Sequence, residues 1–257
     1  MRLFRRHPRY ESLRVRAGLA EAARDGLVVP EGLIAQGRGE AFDYLLGERT
    51  SPSARRAERV AAVWLRRADR PVVSINGNVA ALAAREVARL ERALPSLGVE
   101  VNLFHRTPKR AVQVASTLRR GGVTRVLGVH PTARIPGLPS DRALVDRDGI
   151  FAADVCLVPL EDGDRTQALR ALGKRVISVD LNPLSRTSRT ADLPIVDEVT
   201  RALGHIVEDL HRVSAPPARR VFPPFDAAGA LADALATIDR RLRKVAGPRW
   251  PRPSRGR

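Results

Sequence analysis

Cysteine is nearly missing from this sequence of 257 residues: Cys156 is the only one. A single thiol excludes an intramolecular disulfide framework and a cysteine-built zinc cluster. Its setting, Val155-Cys156-Leu157-Val158, is apolar and marks it as a packing residue, since a thiol in such surroundings is inert. Aromatic residues make up only 4%, too few to suggest a series of base-stacking platforms. No apolar run approaches the roughly 18 residues of a membrane span. The basic opening, Met1 to Arg6, is not followed by the apolar stretch of a secretory signal, so a soluble cytoplasmic protein is expected. The histidines, His7, His105, His130, His205 and His211, show no metal-ligand spacing such as HExxH. His205 and His211 read as surface or packing positions on a helix, and no metal ligands are assigned.

What is abundant is arginine. The formal net charge is +17, and of 45 basic residues only Lys109, Lys174 and Lys244 are lysines. The arginines are dispersed, with extra density at both ends. Between Arg240 and Arg257 there are eight basic residues and no acidic one. Such a balance suits a nucleic-acid backbone, a cleft for phosphorylated small molecules, or simply solvated helix faces, and charge alone does not choose among them.

Short apolar runs alternate with helical stretches from about residue 70 to 200. The runs are Pro71–Ile75, Val99–Phe104, Val123–Val129, Asp154–Leu160 and Arg175–Asp180. Between them apolar residues recur at i, i+3 and i+4, as in Val79, Leu82, Ala83, Val87 and Leu90. Continuous apolar strands separated by amphipathic helices indicate a parallel sheet covered on both faces. The expected fold class is therefore α/β, a Rossmann-like, doubly wound, mostly parallel sheet with helical N- and C-terminal extensions. Its parts are an N-terminal segment (1–70), the core (71–213), a linker with a last helix (214–246) and a basic disordered tail (247–257). In the first part the reading expects a helix at Glu11–Asp25, a loop at Gln36–Glu40 and a helix starting at Ser51-Pro52. After Pro194-Ile195-Val196 a helix is expected to run to about Val213, and the last one spans Ala227–Val245.

Ligands of open parallel sheets bind beyond the carboxyl ends of the strands. Here those loops are polar: Ser74-Ile75-Asn76-Gly77-Asn78; Asn102 with His105 and Arg106; His130, Thr132 and Arg134; Glu161-Asp162-Gly163-Asp164-Arg165-Thr166; and Asp180-Leu181-Asn182-Pro183-Leu184-Ser185-Arg186. Any one of them reads equally well as a helix cap or a solvated turn. Together, cations, acids and amides at one edge of a sheet indicate a site. Arginines neutralise phosphates by bidentate hydrogen bonds, and clustered carboxylates can hold Mg²⁺. The Asn-Gly-Asn turn is neither GxGxxG nor a Walker A loop, and no serine or cysteine accompanies the histidines. Residue types and spacing lead to a phosphate-handling α/β enzyme and no further.

Several segments together resemble archaeal phosphopantothenate synthetase. They are His7-Pro8-Arg9-Tyr10 with Ser12-Leu13 and Arg16; Gly32 to Leu45, continuing to Gly47-Glu48-Arg49-Thr50; Val73 to Leu82; Asn102-Leu103-Phe104 with Arg106-Thr107; Arg134 to Leu138; Val158 to Thr166; and Asp180 to Arg186. The likeness runs in order from about residue 7 to 200. It implies an ATP- and Mg²⁺-dependent ligase that activates 4-phosphopantoate as an acyl-adenylate, which the amine of β-alanine then attacks. Transferred position by position, the resemblance implies ATP contacts at Arg16, Arg38, Asp180, Leu181, Asn182, Arg186, Thr187, Glu198 and Val199. Asn76, Gly77 and Asn78 with Arg106 and Arg134 are expected to hold phosphopantoate. The acids Glu161, Asp162 and Asp164 are candidates for Mg²⁺ or for the amine, so the catalytic group expected is Asn76, Arg106, Arg134, Asp162 and Asp164. The sequence departs from the family pattern at Gln36, where the family has His, and at Thr187 and Glu198, which are Ser- and Asn-like there. A homodimer is also implied. Two other readings remain at this stage: a Rossmann-like nucleotide enzyme of different chemistry, and a basic nucleic-acid-binding protein, with any nucleic-acid affinity of the ligase itself being non-specific.

Overall fold

The computed structural model describes residues 10–213 and 221–247. The segment His7 to Arg9, most of the linker and the tail beyond Gly247 lie outside the described residues.

Six strands form one parallel sheet in the order β3-β2-β1-β6-β7-β8. They are β1 (Pro71–Ile75), β2 (Gly98–Val101), β3 (Val126–Leu127), β6 (Val155–Pro159), β7 (Arg175–Val179) and β8 (Leu193–Ile195). Alternation along each strand divides the core in two. Val73 and Ile75, Val155 and Leu157, and Ile177 and Val179 face one cluster. Val72, Cys156, Val158 and Val176 face the other. Both faces are covered, so the strands read as unbroken apolar runs. The five expected runs supply five strands, and the sixth, β8, lies in the short Leu193-Pro194-Ile195 stretch. Cys156 is buried, and burial pushes its thiol up to about 12, as its packing role requires.

The first face carries α1 (Tyr10–Arg24), α3 (Pro52–Arg67), α4 (Gly77–Ala93), α5 (Pro108–Arg120) and α8 (Val199–Leu210). Ser51 caps α3 by accepting the Ala54 N–H at 3.1 Å, and Pro52 occupies the first turn. The second face carries α6 (Gly163–Ala171) and an insertion between β3 and β6. That insertion holds an antiparallel pair, β4 (Ala133–Arg134) and β5 (Leu144–Val145), followed by a wide turn at Arg147–Phe151. Glu100 of β2, fully buried, pins the insertion by accepting the N–H groups of Asp146 at 2.9 Å and Ile150 at 2.6 Å. Burial raises its carboxyl to about 7 against those two donors.

One expectation fails. Gln36–Glu40 is not a loop but the middle of α2 (Pro30–Leu46). Gly37 and Gly39 stand within the helix without breaking it: Pro30 starts it and Gly47, at φ +101°, ends it. Packing on α9 (Ala227–Ala246), on α4 and over Leu181 outweighs the glycine penalty of about 1 kcal/mol each.

Candidate active site

Strand order reverses between β1 and β6, and the carboxyl ends of these two strands open into a cleft of about 490 Å³. Its walls come from α2, the β1–α4 turn, the segment after β2, and the turns after β6 and β7.

The two strand ends are tied together. Asn76 caps α4, its Oδ1 accepting the Val79 N–H at 3.0 Å, while its Nδ2 donates to the Leu160 carbonyl at 2.8 Å. Leu160 has φ +52°, a left-handed conformation that a branched side chain adopts only when its surroundings impose it. Asn78 donates from Nδ2 to the Gly32 carbonyl at 2.8 Å, fastening α2 over the helix start. At Gly77 a β-carbon would lie 2.2 Å from the Leu27 carbonyl oxygen, so only glycine fits. Gly77 and Asn78, the first residues of α4, line the cleft, with the positive end of the helix dipole behind them.

Beneath this edge lies a compact charge cluster. Glu161 is sandwiched between two buried arginines: Arg142 Nη1 lies 2.6 Å from its Oε1, and Arg165 Nη1 bonds its Oε2. Arg165 also donates to Ser74 Oγ at 2.8 Å. Arg142 Nε is 2.8 Å from Asp162 Oδ2, while Asp162 Oδ1 caps α6 through the Arg165 N–H at 2.8 Å. Burial lowers the Arg142 pKa, with Glu161 opposing it. Two positive and two negative charges compensate one another, as buried charges must. Arg110, anchored by donating to the Leu27 and His105 carbonyls at 3.2 and 2.6 Å, reaches the same wall.

Of the residues singled out from the sequence, Asn76 and Asp162 line the cleft, as do Arg38, Asp180, Leu181, Asn182, Arg186 and Thr187. Asp180 Oδ1 accepts the Asn182 N–H at 3.0 Å, and burial raises its carboxyl pKa. Thr187 donates to the Glu161 carbonyl at 2.7 Å. Asp164 is exposed at the rim, 2.7 Å from Arg186. Arg106 and Arg134 do not line the cleft. Arg106 donates to the Gly128 and Val129 carbonyls at 2.6 and 2.8 Å, and Arg134 lies exposed on β4. Arg16 bridges α1 to Glu40 of α2 at 2.9 Å. Glu198 caps α8 through the Thr200 and Arg201 N–H groups, and Val199 is buried in the core. Sequence reasoning missed Arg110 and Arg142 as wall residues. Nothing local marks Arg142, which stands in a short turn of the insertion.

A doubly wound sheet with converging guanidiniums and a helix N-terminus at its reversal point defines an α/β enzyme that handles phosphorylated substrates. The sequence matches the phosphopantothenate/pantothenate synthetase family over residues 53–241, and the chain belongs to that family. It is 51% identical over 239 residues to a 4-phosphopantoate–β-alanine ligase of Methanospirillum hungatei, covering 93% of this chain and 97% of that one. Proteins of the same name from Thermococcus onnurineus and Methanosarcina mazei are 48% and 46% identical, covering 93% of this chain and 93% and 95% of theirs.

Proposed function

We propose that the chain is a ligase joining 4-phosphopantoate to β-alanine, with ATP converted to AMP and pyrophosphate, in coenzyme A biosynthesis. The observation that carries this reading is the cleft at the β1/β6 reversal. There Arg38, Arg110, Arg142 and Arg186 meet the α4 N-terminus, in a chain about half identical to ligases of that name.

The residues present fit a nucleotide. Guanidiniums and free helix N–H groups bind phosphates, and Leu103, Phe104 and Leu181 offer apolar contact. Arg38, Asp180, Leu181, Asn182, Arg186 and Thr187 are assigned to ATP, while Asn76, Gly77, Asn78, Arg110 and Arg142 are assigned to phosphopantoate. Arg110 and Arg142 take the place first given to Arg106 and Arg134. Arg16, Glu198 and Val199 line no wall of this cleft, and no contact is assigned to them within one protomer. For Mg²⁺ the acid best placed is Asp180. Glu161 and Asp162 are committed to Arg142 and Arg165, and Asp164 is exposed and does not line the cleft.

ATP, when bound, supplies the adenylyl group that makes the pantoate carboxylate reactive; pyrophosphate leaves, and the β-alanine nitrogen then displaces AMP as the amide bond forms. The arginines hold both anions close in spite of their mutual repulsion and stabilise charge that builds on the phosphate oxygens. His105, on the cleft wall, is the group assigned to take the proton that the β-alanine ammonium must lose. Among the described residues no helix is long and apolar enough to cross a membrane, and the reading places the enzyme in the cytoplasm. A homodimer is also proposed, because Ile34 on α2 and Leu184 beside the cleft stand exposed, 68% and 57%, as surfaces for a second copy.

The test is an AMP-release assay with ATP, Mg²⁺, 4-phosphopantoate and β-alanine, omitting each in turn and substituting unphosphorylated pantoate. AMP formation that needs every component and fails with pantoate is expected. Release of ADP would replace the adenylate by an acyl-phosphate, and no turnover by folded protein would refute the ligase.

A further inference from the structure

Away from the cleft, three potential metal ligands converge where α3, α8 and the turn after β8 meet. Glu58 of α3 is fully buried. Its Oε2 lies 2.8 Å from His205 Nδ1 and 3.7 Å from Arg55, while its Oε1 is buried with no N–H donor among the described residues, and the Asp197 carboxylate stands against the same carboxyl. Asp197, 1% exposed, follows β8. Its Oδ2 accepts from the Thr50 hydroxyl at 2.5 Å and its Oδ1 from Arg201 at 2.7 Å. His205 of α8 is half-buried, with a side chain 30% exposed. One ligand atom from each of the three residues lies within 4.8 Å of the others.

Two arguments point to a cation. A buried carboxylate oxygen without a donor is costly, and native structures rarely leave one so. The second argument is the charge balance. The neighbourhood contains the carboxylates Glu58, Asp197, Asp43 and Asp209, but only two well-placed guanidiniums, Arg55 and Arg201. Exposed Arg212, 3.7 Å from Asp209, and exposed Glu208, beside Arg55, offset each other. With all four carboxylates ionised the surplus is two negative charges. Burial and the neighbouring Asp197 push the Glu58 carboxyl up to about 9, so a divalent ion would take the place of the proton held there.

We propose that Glu58, Asp197 and His205 bind one divalent transition-metal ion of the Zn²⁺ or Mn²⁺ class, with water entering past His205 to complete the coordination. An imidazole with two carboxylates suits such ions. Metal–ligand bonds of about 2.0–2.2 Å separate ligand atoms by roughly 3.4 Å around a tetrahedron, so the present spacing closes by small side-chain rotations. Thr50 and Arg201 already fix the Asp197 carboxylate, as partners of metal ligands commonly do. The ion ties α3 to the turn that carries Glu198 and Val199.

The test uses the full, tag-free chain, stripped with EDTA and titrated with Co²⁺, then Zn²⁺ and Mn²⁺, without ATP or either substrate. Expected are one saturable equivalent, a visible Co²⁺ spectrum abolished by Zn²⁺, and at least a tenfold weaker affinity in His205→Ala. His205 is half-buried on a surface helix, so this variant should keep the fold; Asp197→Asn provides a second check. His105→Ala, which alters the cleft, should bind as the parent does. No saturable uptake, or uptake unchanged in His205→Ala and Asp197→Asn, would overturn the proposal and leave a proton shared between Glu58 and Asp197 in that space. Since no nucleotide or substrate is present, neither result bears on the ligase reading.

Discussion

Glu161 is the counter-ion of two buried arginines, so its neutralisation should cost more than the loss of either partner. In Glu161→Gln the cluster changes from neutral to a net positive charge, and Arg165, fully buried, keeps no carboxylate partner. Removing one member of a buried pair costs about 3–5 kcal/mol. Glu161→Gln belongs at the top of that range, because Arg142 and Arg165 then repel each other without an intervening charge. Arg142→Met leaves a surplus negative charge instead. Arg165 still neutralises Glu161, and the Asp162 side chain, 33% exposed, can be hydrated, so a cost of about 2–3 kcal/mol is expected. The double variant retains Arg165 and Asp162 as its charges. It should be destabilised by at least about 1.5 kcal/mol less than the sum of the single changes, a coupling typical of direct contacts in one network. Urea unfolding followed by circular dichroism, without ligands, supplies all four free energies. Additivity within about 0.5 kcal/mol would show that the two side chains do not share a charge balance, and the account of the cleft floor would fail.

Three further outcomes follow from the same geometry. Arg38 is exposed on α2, so Arg38→Ala should leave the melting temperature unchanged while kcat/KM for ATP falls about a hundredfold, the scale of one lost charge-stabilising contact; near-normal activity would remove Arg38 from the nucleotide site. Gly77→Ala places a methyl group 2.2 Å from the Leu27 carbonyl oxygen and should cost about 1–3 kcal/mol together with turnover; calorimetry showing parental stability would contradict the close packing. Glu100 titrates near 7 in the fold against an ordinary 4.5, so the folded chain holds a proton that the unfolded chain releases. That stabilisation is complete below about pH 4.5 and lost as pH rises through about 7, a swing of up to about 3 kcal/mol. Glu100→Gln should flatten this part of the pH–stability curve, and identical urea-midpoint slopes between pH 5 and 8 in both proteins would refute the assignment.

The strands were legible because burial on both faces favours Val, Ile and Leu on either side of the sheet, and six parallel segments then order themselves around the first. The switch-point loops were legible for the same reason, since strand ends fix where Asn76, Asp162 and Asp180 must fall. Which guanidinium turns into the cleft was not legible. Arg106 and Arg142 are both arginines near strand ends, yet Arg106 satisfies the carbonyls of Gly128 and Val129 whereas Arg142 neutralises Glu161. That difference depends on the path of the β3–β6 insertion, which no period in the sequence encodes. The acid-rich turn Glu161-Asp162-Gly163-Asp164 misleads in the complementary direction. It has the look of a cation site, but each of its carboxylates meets an arginine brought from elsewhere in the fold or one turn along α6. Glu58, Asp197 and His205 stand on three separate segments and form no motif, yet there the ionised carboxylates outnumber the guanidiniums in reach. Whether acids can take a cation is therefore decided by the arginines the fold places against them, and sequence adjacency carries little of that information.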